Sequence, residues 1–248
     1  MPDITPRSLF ESASTPNQLF STEQIKSLPP AAQRYINHSI QPDTPLAPAV
    51  YLEMHGTIKL NRWGPFKAKQ AIVPDDGMIW KASVRMFGLP IIGSDRLIDG
   101  KGSMQWKMLG FIPVMKAAGP DITRSTAGRM AGELIWLPSA LMQENVKWSG
   151  SDDEHVVATL RILDYEHHLH FTIDSEGRLK KLCYQRWGDP DQTGFRKGTF
   201  MAIIKEEGTF GGYTIPIHMR AGWSADDDDE LNPLEESLRI QVDKAEYY

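Results

Sequence analysis

The chain has 248 residues, 41% of them hydrophobic and 24% charged, and a net charge of −5. These values are those of an ordinary globular protein and exclude collagen-like, low-complexity and largely disordered chains. The acidic balance argues against a nucleic-acid partner, and a single cysteine, Cys183, excludes an intramolecular disulfide.

Residues 1–20 hold three prolines among scattered serines and threonines, and they are predicted to form an extended N-terminal arm. The first seven residues lack the basic and apolar regions of a secretory signal, and no run reaches the ~20 apolar residues of a membrane helix. A cytoplasmic location with no integral membrane segment is therefore expected. Residues 21–248 are predicted to form one domain, because no linker divides them.

Two helices are predicted at the start of this domain. Ser21 and Gln24 have the spacing of a capping box, in which each side chain bonds the other residue's backbone amide. Pro29-Pro30 opens the second helix, since proline is tolerated where the amide has no intrahelical partner.

From residue 49 the hydrophobic period changes to two, which is typical of half-buried strands. Leu52, Met54 and Ile58, for example, alternate with Glu53 and His55. Eleven or twelve strands are predicted, over residues 49–60, 66–73, 78–87, 95–99, 103–109, 146–149, 156–163, 166–173, 179–186, 198–207, 213–223 and 238–243.

The segment 119–142 interrupts this rhythm with apolar residues at helical spacing, among them Met130, Leu134 and Leu141. Pro138 should end or kink this helix, because it lacks an amide and clashes with the previous turn. A single sheet of this size curls rather than staying flat. We therefore predict an α+β fold, a strongly curved antiparallel half-barrel of about 11 strands with a long helix inserted mid-chain and helices at the N-terminus.

Three groups of residues stand out in the sequence: Leu28-Pro29-Pro30 with Arg34-Tyr35, the run 128–138 (GRMAGELIWLP) with Trp148, and Gly208 through Ile215-Pro216 with Trp223. Together they resemble an uncharacterised bacterial family known only as a domain of unknown function. The resemblance covers roughly residues 28 to 245 and implies no established activity. The order of strands and helices is also similar to the half-barrel of bacterial lipoprotein carriers, which hold acyl chains between a curved sheet and covering helices. Only the architecture is carried over.

Arg129 and Glu133 are the first polar candidates, because they lie four residues apart on one helix face. That face is not the Met130/Leu134 stripe, so the default interpretation is a solvated ion pair. If the helix is covered on both sides, Glu133 becomes a buried acid–base group. Arg186 is a second candidate cation that could anchor a carboxylate or phosphate, although an arginine at a strand end is more often a surface residue.

The apolar candidates are methionines and tryptophans that fall on the apolar side of the predicted elements. Methionine suits variable apolar ligands, but it is also ordinary core filler. The connectors 87–93 and 109–115 are unusually apolar, so they should close over a pocket or meet a partner or membrane surface. The predicted ligand-binding residues are Trp80, Met86, Trp106, Met108, Met130 and Trp136.

Histidines offer a weaker alternative. His168 and His170 share one side of a strand and could hold a metal with Glu166 or His155, but a solvated polar face explains the same pattern. No dinucleotide, phosphate-loop or metalloprotease motif is present, so no cofactor or metal is expected. His55 and His218 also fall on polar sides of their strands.

Two functions follow from these residues. The first is binding of an apolar or lipid-like small molecule in a pocket between a curved sheet and covering helices. The alternative is a cofactor-independent lyase, isomerase or hydrolase that acts on an apolar substrate, with Glu133 as acid–base group and Arg129 or Arg186 as anion anchor. A structural or partner-binding role stays open, and so does the oligomeric state.

Overall fold

Hydrophobic alternation and short turns build a single antiparallel sheet. The computed structural model describes residues 4–150, 152–191, 193–224, 231–232 and 235–248. The described strands are β1 Val50–Lys59, β2 Trp63–Val73, β3 Gly77–Met86, β4 Leu89–Ile98, β5 Lys101–Met108, β6 Ile112–Ala118, β7 Lys147–Gly150, β8 His155–Ile162, β9 Tyr165–Ile173, β10 Leu179–Gly188, β11 Arg196–Phe210, β12 Tyr213–Ser224 and β13 Glu236–Tyr247. The helices are α1 Pro6–Phe10, α2 Pro30–Ser39 and α3 Pro120–Glu133, with 3-10 turns at Thr22–Ile25, Leu134–Trp136 and Pro138–Met142.

The thirteen strands pair in the order β6-β5-β4-β3-β2-β1-β13-β12-β11-β10-β9-β8-β7. Almost every strand therefore neighbours the strand next to it in the chain, and the pairing of β1 with β13 joins the two halves. The sheet is not closed, because β6 and β7 are its edges. Helix α3 connects these edges and contacts β4, β5 and β6 as well as β8, β9 and β10. A sheet whose two ends touch the same helix must curve around it, so the predicted curvature is confirmed.

Two N-terminal predictions have different outcomes. Ser21 and Gln24 form the expected capping box, and the second helix begins at Pro30. The first twenty residues are not wholly extended, however, because α1 lies within them. Thr5 and Ser8 cap α1 reciprocally, and proline at its first position is pre-set for a helix. The apolar side chains of α1 pack on the convex face of the sheet, in a small core separate from that of the concave face.

The prediction of about eleven strands is too low. The apolar segment 109–115 is not a connector, since it contains the start of β6, and the segment 87–93 contains the first half of β4. The true connectors are tight turns at Phe87-Gly88 and Leu109-Gly110, in which all four residues have positive φ. Such turns usually carry Asn or Asp before the glycine. Phe87 and Leu109 stand at that position instead, so the sequence did not indicate these two turns.

The inserted helix is shorter than predicted. Helix α3 ends at Glu133 and continues as two 3-10 turns, the second of which starts at Pro138. Leu134, Leu137 and Leu141 are buried as the periodicity predicted. Among the described residues, no helix is both long enough and apolar enough to cross a bilayer.

Candidate functional site

A cavity of about 450 Å³ lies between α3 and the concave face of the sheet. Its volume falls within the range of roughly 300–1,000 Å³ that is common for small-molecule sites. Most of its lining is apolar and comes from both halves of the sheet: Ile58, Trp80, Val84, Ile91, Met104, Trp106, Leu182, Phe200, Met219, Trp223 and Ile240 are examples. Polar side chains reach it from α3, β4 and β10.

Arg129 and Glu133 lie on the face of α3 that is turned toward this cavity. Their side chains are only 16% and 14% exposed, and Arg129 Nε lies 2.8 Å from Glu133 Oε1. The default interpretation of a solvated ion pair is therefore wrong. Helix α3 packs closely against β10 at Gly132. A Cβ at this position would lie 2.3 Å from Tyr184 Oη, so only glycine allows this approach.

Asp95 completes the cluster. Arg129 Nη1 donates to Asp95 Oδ2 at 2.7 Å, and Trp106 Nε1 donates to Asp95 Oδ1 at 3.0 Å. Gln70 Nε2 donates to Glu133 Oε2 at 2.6 Å, so each of the four carboxylate oxygens accepts a hydrogen bond. Burial raises the pKa of Asp95, and Arg129 and Trp106 oppose that shift only in part.

Neither Asp95 nor Gln70 was among the sequence candidates. A signal for Asp95 was available, because it lies two residues before Leu97 and therefore shares the buried face of β4. Gln70 likewise lies on the same buried side of β2 as Ala68 and Ile72. A buried polar residue needs a partner, so a polar residue on the apolar side of a strand indicates a site.

Arg186 projects from β10 into the same cavity. Its guanidinium lies 5.0 Å from the Phe200 ring centroid and 5.4 Å from that of Trp223, a cation–π arrangement. Burial lowers the pKa of Arg186 below the usual value for a guanidinium. Its Nε is buried with no hydrogen-bond partner, and no carboxylate of the described residues lies within ion-pair distance of it. The interpretation of a surface arginine is therefore wrong.

The predicted apolar lining is only partly assembled at this cavity. Trp80, Trp106 and Trp136 line it. Met86, Met108 and Met130 do not. Met130 points from the opposite side of α3 toward a smaller cavity beside Leu160, because neighbouring helical residues lie about 100° apart. Met86 packs near Gly64 at the start of β2, and Met108 is the last residue of β5, next to the turn at Leu109-Gly110.

The histidines suggested as metal ligands lie away from the cavity. His168 is exposed and contacts Thr159 and Glu166, while His155 bonds Asp152. His55 and His218 are also on the convex side, beside Asp243 and Glu206. Within the described part of the chain, no group of three or more His, Cys, Asp or Glu side chains is arranged to hold a metal ion.

His167 is the exception among the histidines, because its side chain lies on the concave face of β9 and is buried beside Gly128 of α3. Its Nε2 has no hydrogen-bond partner within the described residues. Burial lowers its pKa to about 4, and the positive charges of His168, Arg124 and Arg186 act in the same direction.

A pH dependence of stability follows from this shift. Between pH 6.5 and about pH 4, the unfolded chain binds a proton at His167 that the folded chain does not bind. The free energy of unfolding should therefore fall as the pH falls, by at most about 1.4 kcal/mol per pH unit from this group. His167→Leu should remove this contribution in urea unfolding followed across that pH range. His168→Leu, at an exposed site, is the control and should keep most of it, because burial of His167 is a larger cause of the shift than the charge of His168. Equal slopes in the parent and His167→Leu would contradict the prediction.

Comparisons with known proteins identify a family whose function is unknown. The model of a family described as a family of unknown function, DUF6544, matches residues 18–231. No curated protein matches the chain. Two solved structures are similar to it, each at 9% identity. One is a putative outer membrane lipoprotein-sorting protein domain from Vibrio parahaemolyticus (TM-score 0.41, 80% of this chain and 85% of that one). The other is a LolA superfamily protein from Nitrosomonas europaea (TM-score 0.44, 88% and 92%).

Proposed function

The chain belongs to the DUF6544 family, whose function is unknown, and we propose that it binds an apolar or lipid-like small molecule with an acidic group. The molecule would occupy the cavity between α3 and the concave face. The observation that carries this proposal is Arg186, a half-buried cation whose buried Nε has no hydrogen-bond partner among the described residues, in a cavity with an otherwise largely apolar lining.

The apolar part of the ligand would be held by the aromatic and aliphatic lining. Removing apolar surface from water contributes roughly 25 cal/mol per Å², so a chain that fills the cavity gains affinity without any directional contact. Trp80 and Trp106 pack against each other at a tilted angle of 54°, with ring centroids 5.7 Å apart, and form part of the wall. This arrangement fixes the size of the ligand more than its identity.

The acidic group would be held by Arg186. Arg129 already forms ion pairs with Asp95 and Glu133, so its charge and two of its donors are not available to a ligand. Arg186 has no such partner, and a buried charge is costly until it is paired. A guanidinium matches a carboxylate or phosphate through two parallel N–H donors. These contacts favour Arg186 over Arg129 as the anion anchor.

Decanoic acid and decanol test this proposal, because they differ only in the acidic group. Both should displace the uncharged dye Nile red from the protein. Charge-assisted hydrogen bonds contribute about 1.5–3 kcal/mol, so the acid should bind roughly 10- to 100-fold more tightly than the alcohol. Arg186→Met should abolish this preference and leave alcohol binding unchanged.

The control for this experiment is Arg196→Met, which removes an arginine of the neighbouring strand that pairs with Asp191 on the surface. It should keep the preference for the acid. Arg186→Met should also fold at least as well as the parent protein, since it removes an unpaired buried charge. Equal binding of acid and alcohol by the parent protein would contradict the acidic group, and no binding of either would contradict the cavity as a ligand site.

Enzymatic action is a second candidate, favoured by the buried carboxylate of Glu133 at the cavity wall. In this role Glu133 would exchange a proton with an apolar substrate. Hydrolysis of p-nitrophenyl octanoate tests the hydrolase form of the proposal. Glu133→Gln should lower that turnover at least about a hundredfold if Glu133 is the acid–base group. The same variant should affect ligand handling more than substitution of His55, His168, His170 or His218; an equal loss at one of these histidines would place the working surface on the convex face.

A further inference from the structure

Exposed apolar side chains are concentrated at three neighbouring hairpins. Ten of the fourteen exposed large hydrophobic residues of the described chain lie in segments 60–63, 87–92 and 109–115, which we call the three tips. Phe87 and Phe111 are 80% and 70% exposed. The tips form one surface, because the Arg62 guanidinium lies over the Phe87 ring at 5.7 Å and the Leu109 amide donates to the Pro90 carbonyl at 2.8 Å. Monomeric proteins rarely leave such a patch uncovered.

Two of the turns place bulky apolar residues where they are conformationally unfavourable. Phe87 and Leu109 have φ values of 52° and 54°, each followed by a glycine with positive φ. The chain makes the same kind of turn at the other end of β4 with Asp99-Gly100, the residue types that this turn prefers. Left-handed backbone at a bulky residue is strained, and retained strain points to function. Leu163, in the turn between β8 and β9 and outside the tips, has a φ of 55° as well, so the clustering of exposed apolar residues, and not strain alone, distinguishes the tips.

The charge of the three hairpins is opposite to that of the whole chain. Residues 56–67, 81–93 and 104–116 carry seven lysines and arginines and no aspartate or glutamate, in a chain with a net charge of −5. The acidic residues lie elsewhere in the sequence, five of them in the run 226–230, outside the described residues. Apolar tips with basic neighbours complement a surface that is apolar inside and anionic outside.

The tips also border the opening of the cavity. Leu60, Val114 and Met115 belong both to the tips and to the cavity lining, and each is about half exposed. A surface that covers the tips would therefore face the cavity mouth. A ligand could then pass between that surface and the cavity without crossing water.

We propose that the three tips dock this protein on an anionic lipid bilayer, with the cavity mouth turned toward the membrane. Phe87, Leu109 and Phe111 enter the headgroup region, and Arg62, Arg85 and Lys107 lie near lipid phosphates. This docking needs no ligand in the cavity, so it is independent of the proposed binding function.

Co-sedimentation with vesicles tests the proposal. The parent protein should sediment with vesicles of equal parts phosphatidylcholine and phosphatidylglycerol, and much less with phosphatidylcholine alone. Added salt should weaken the binding, since exposed charges are screened. The double variant Phe87→Asn/Leu109→Asn should lose about tenfold or more in vesicle affinity. Its melting temperature should be equal to or above that of the parent, because Asn-Gly is the preferred sequence for these turns.

Leu19→Asn is the matched control, since it removes an exposed leucine from outside the tips. It should leave vesicle binding unchanged. Failure of the parent protein to bind the mixed vesicles would overturn the proposal, and so would full binding by the double variant. A concentration-dependent dimer in light scattering that the double variant abolishes, without vesicle binding by the parent, would assign the tips to a second copy of the chain instead.

Discussion

Arg129→Met is expected to lower the free energy of unfolding by about 3–5 kcal/mol, the cost of removing one partner from a buried ion pair. The variant leaves Asp95 and Glu133 facing each other across the position of the lost guanidinium, with Trp106 and Gln70 as their remaining side-chain donors in the described part of the chain. Methionine fills much of the volume, so the loss would come from charge and not from a void. Urea unfolding at neutral pH measures it.

Arg7 provides a closely matched control. Its Nε lies 2.8 Å from Glu11 four residues on, and its Nη1 lies 2.7 Å from Glu246. Arg129 has the same distances to Glu133 and Asp95, but the Arg7 side chain is half exposed. Arg7→Met should leave the free energy of unfolding nearly unchanged, because water solvates the remaining carboxylates. Similar losses for both variants would show that burial is not what makes the Arg129 cluster important.

Trp136→Ala is expected to cost about 3–5 kcal/mol, the usual loss for truncating a buried aromatic residue. Trp136 is among the largest fully buried side chains. Its Nε1 donates to the Pro216 carbonyl at 3.0 Å and its own carbonyl accepts from Tyr247 Oη, so it links the turn after α3 to β12 and β13. Calorimetry or urea unfolding measures the loss.

Trp136→Phe separates the two contributions of this side chain. It keeps most of the ring and removes the indole donor, so it should cost about 1–3 kcal/mol, the penalty for a buried carbonyl without its partner. Trp63→Ala, at a partly exposed tryptophan of β2, should cost much less than Trp136→Ala. If Trp63→Ala costs as much as Trp136→Ala, burial of Trp136 in the core is not the source of its effect.

The strands could be predicted wherever one face is buried and the other is solvated. In β9, alternation placed His167, Leu169 and Phe171 on one side, and all three are buried. Strand β6 was missed because almost all of its residues are exposed and therefore do not alternate. An edge strand with no buried face carries little sequence signal, and its pairing with β5 comes from the neighbouring strand.

The candidate site could be predicted only in part, because it depends on contacts between distant segments. The pairing of Arg129 with Glu133 is local and was visible as i,i+4 spacing. The burial of this pair was not visible, since a helix enclosed by a curved sheet is covered on its polar face as well. Asp95 and Gln70 come from strands that the fold brings to α3, and no local spacing connects them to it.

The pairing of β1 with β13 has a consequence for the time course of folding. It joins Val50 to Tyr247, whereas the other strand pairs join neighbours in the chain. Closing a loop of that length has the largest entropic cost of any pairing here, and distant contacts slow folding. The two meanders on either side should therefore form first and independently. The seam between β1 and β13 should form late, so substitutions there should speed unfolding more than they slow folding.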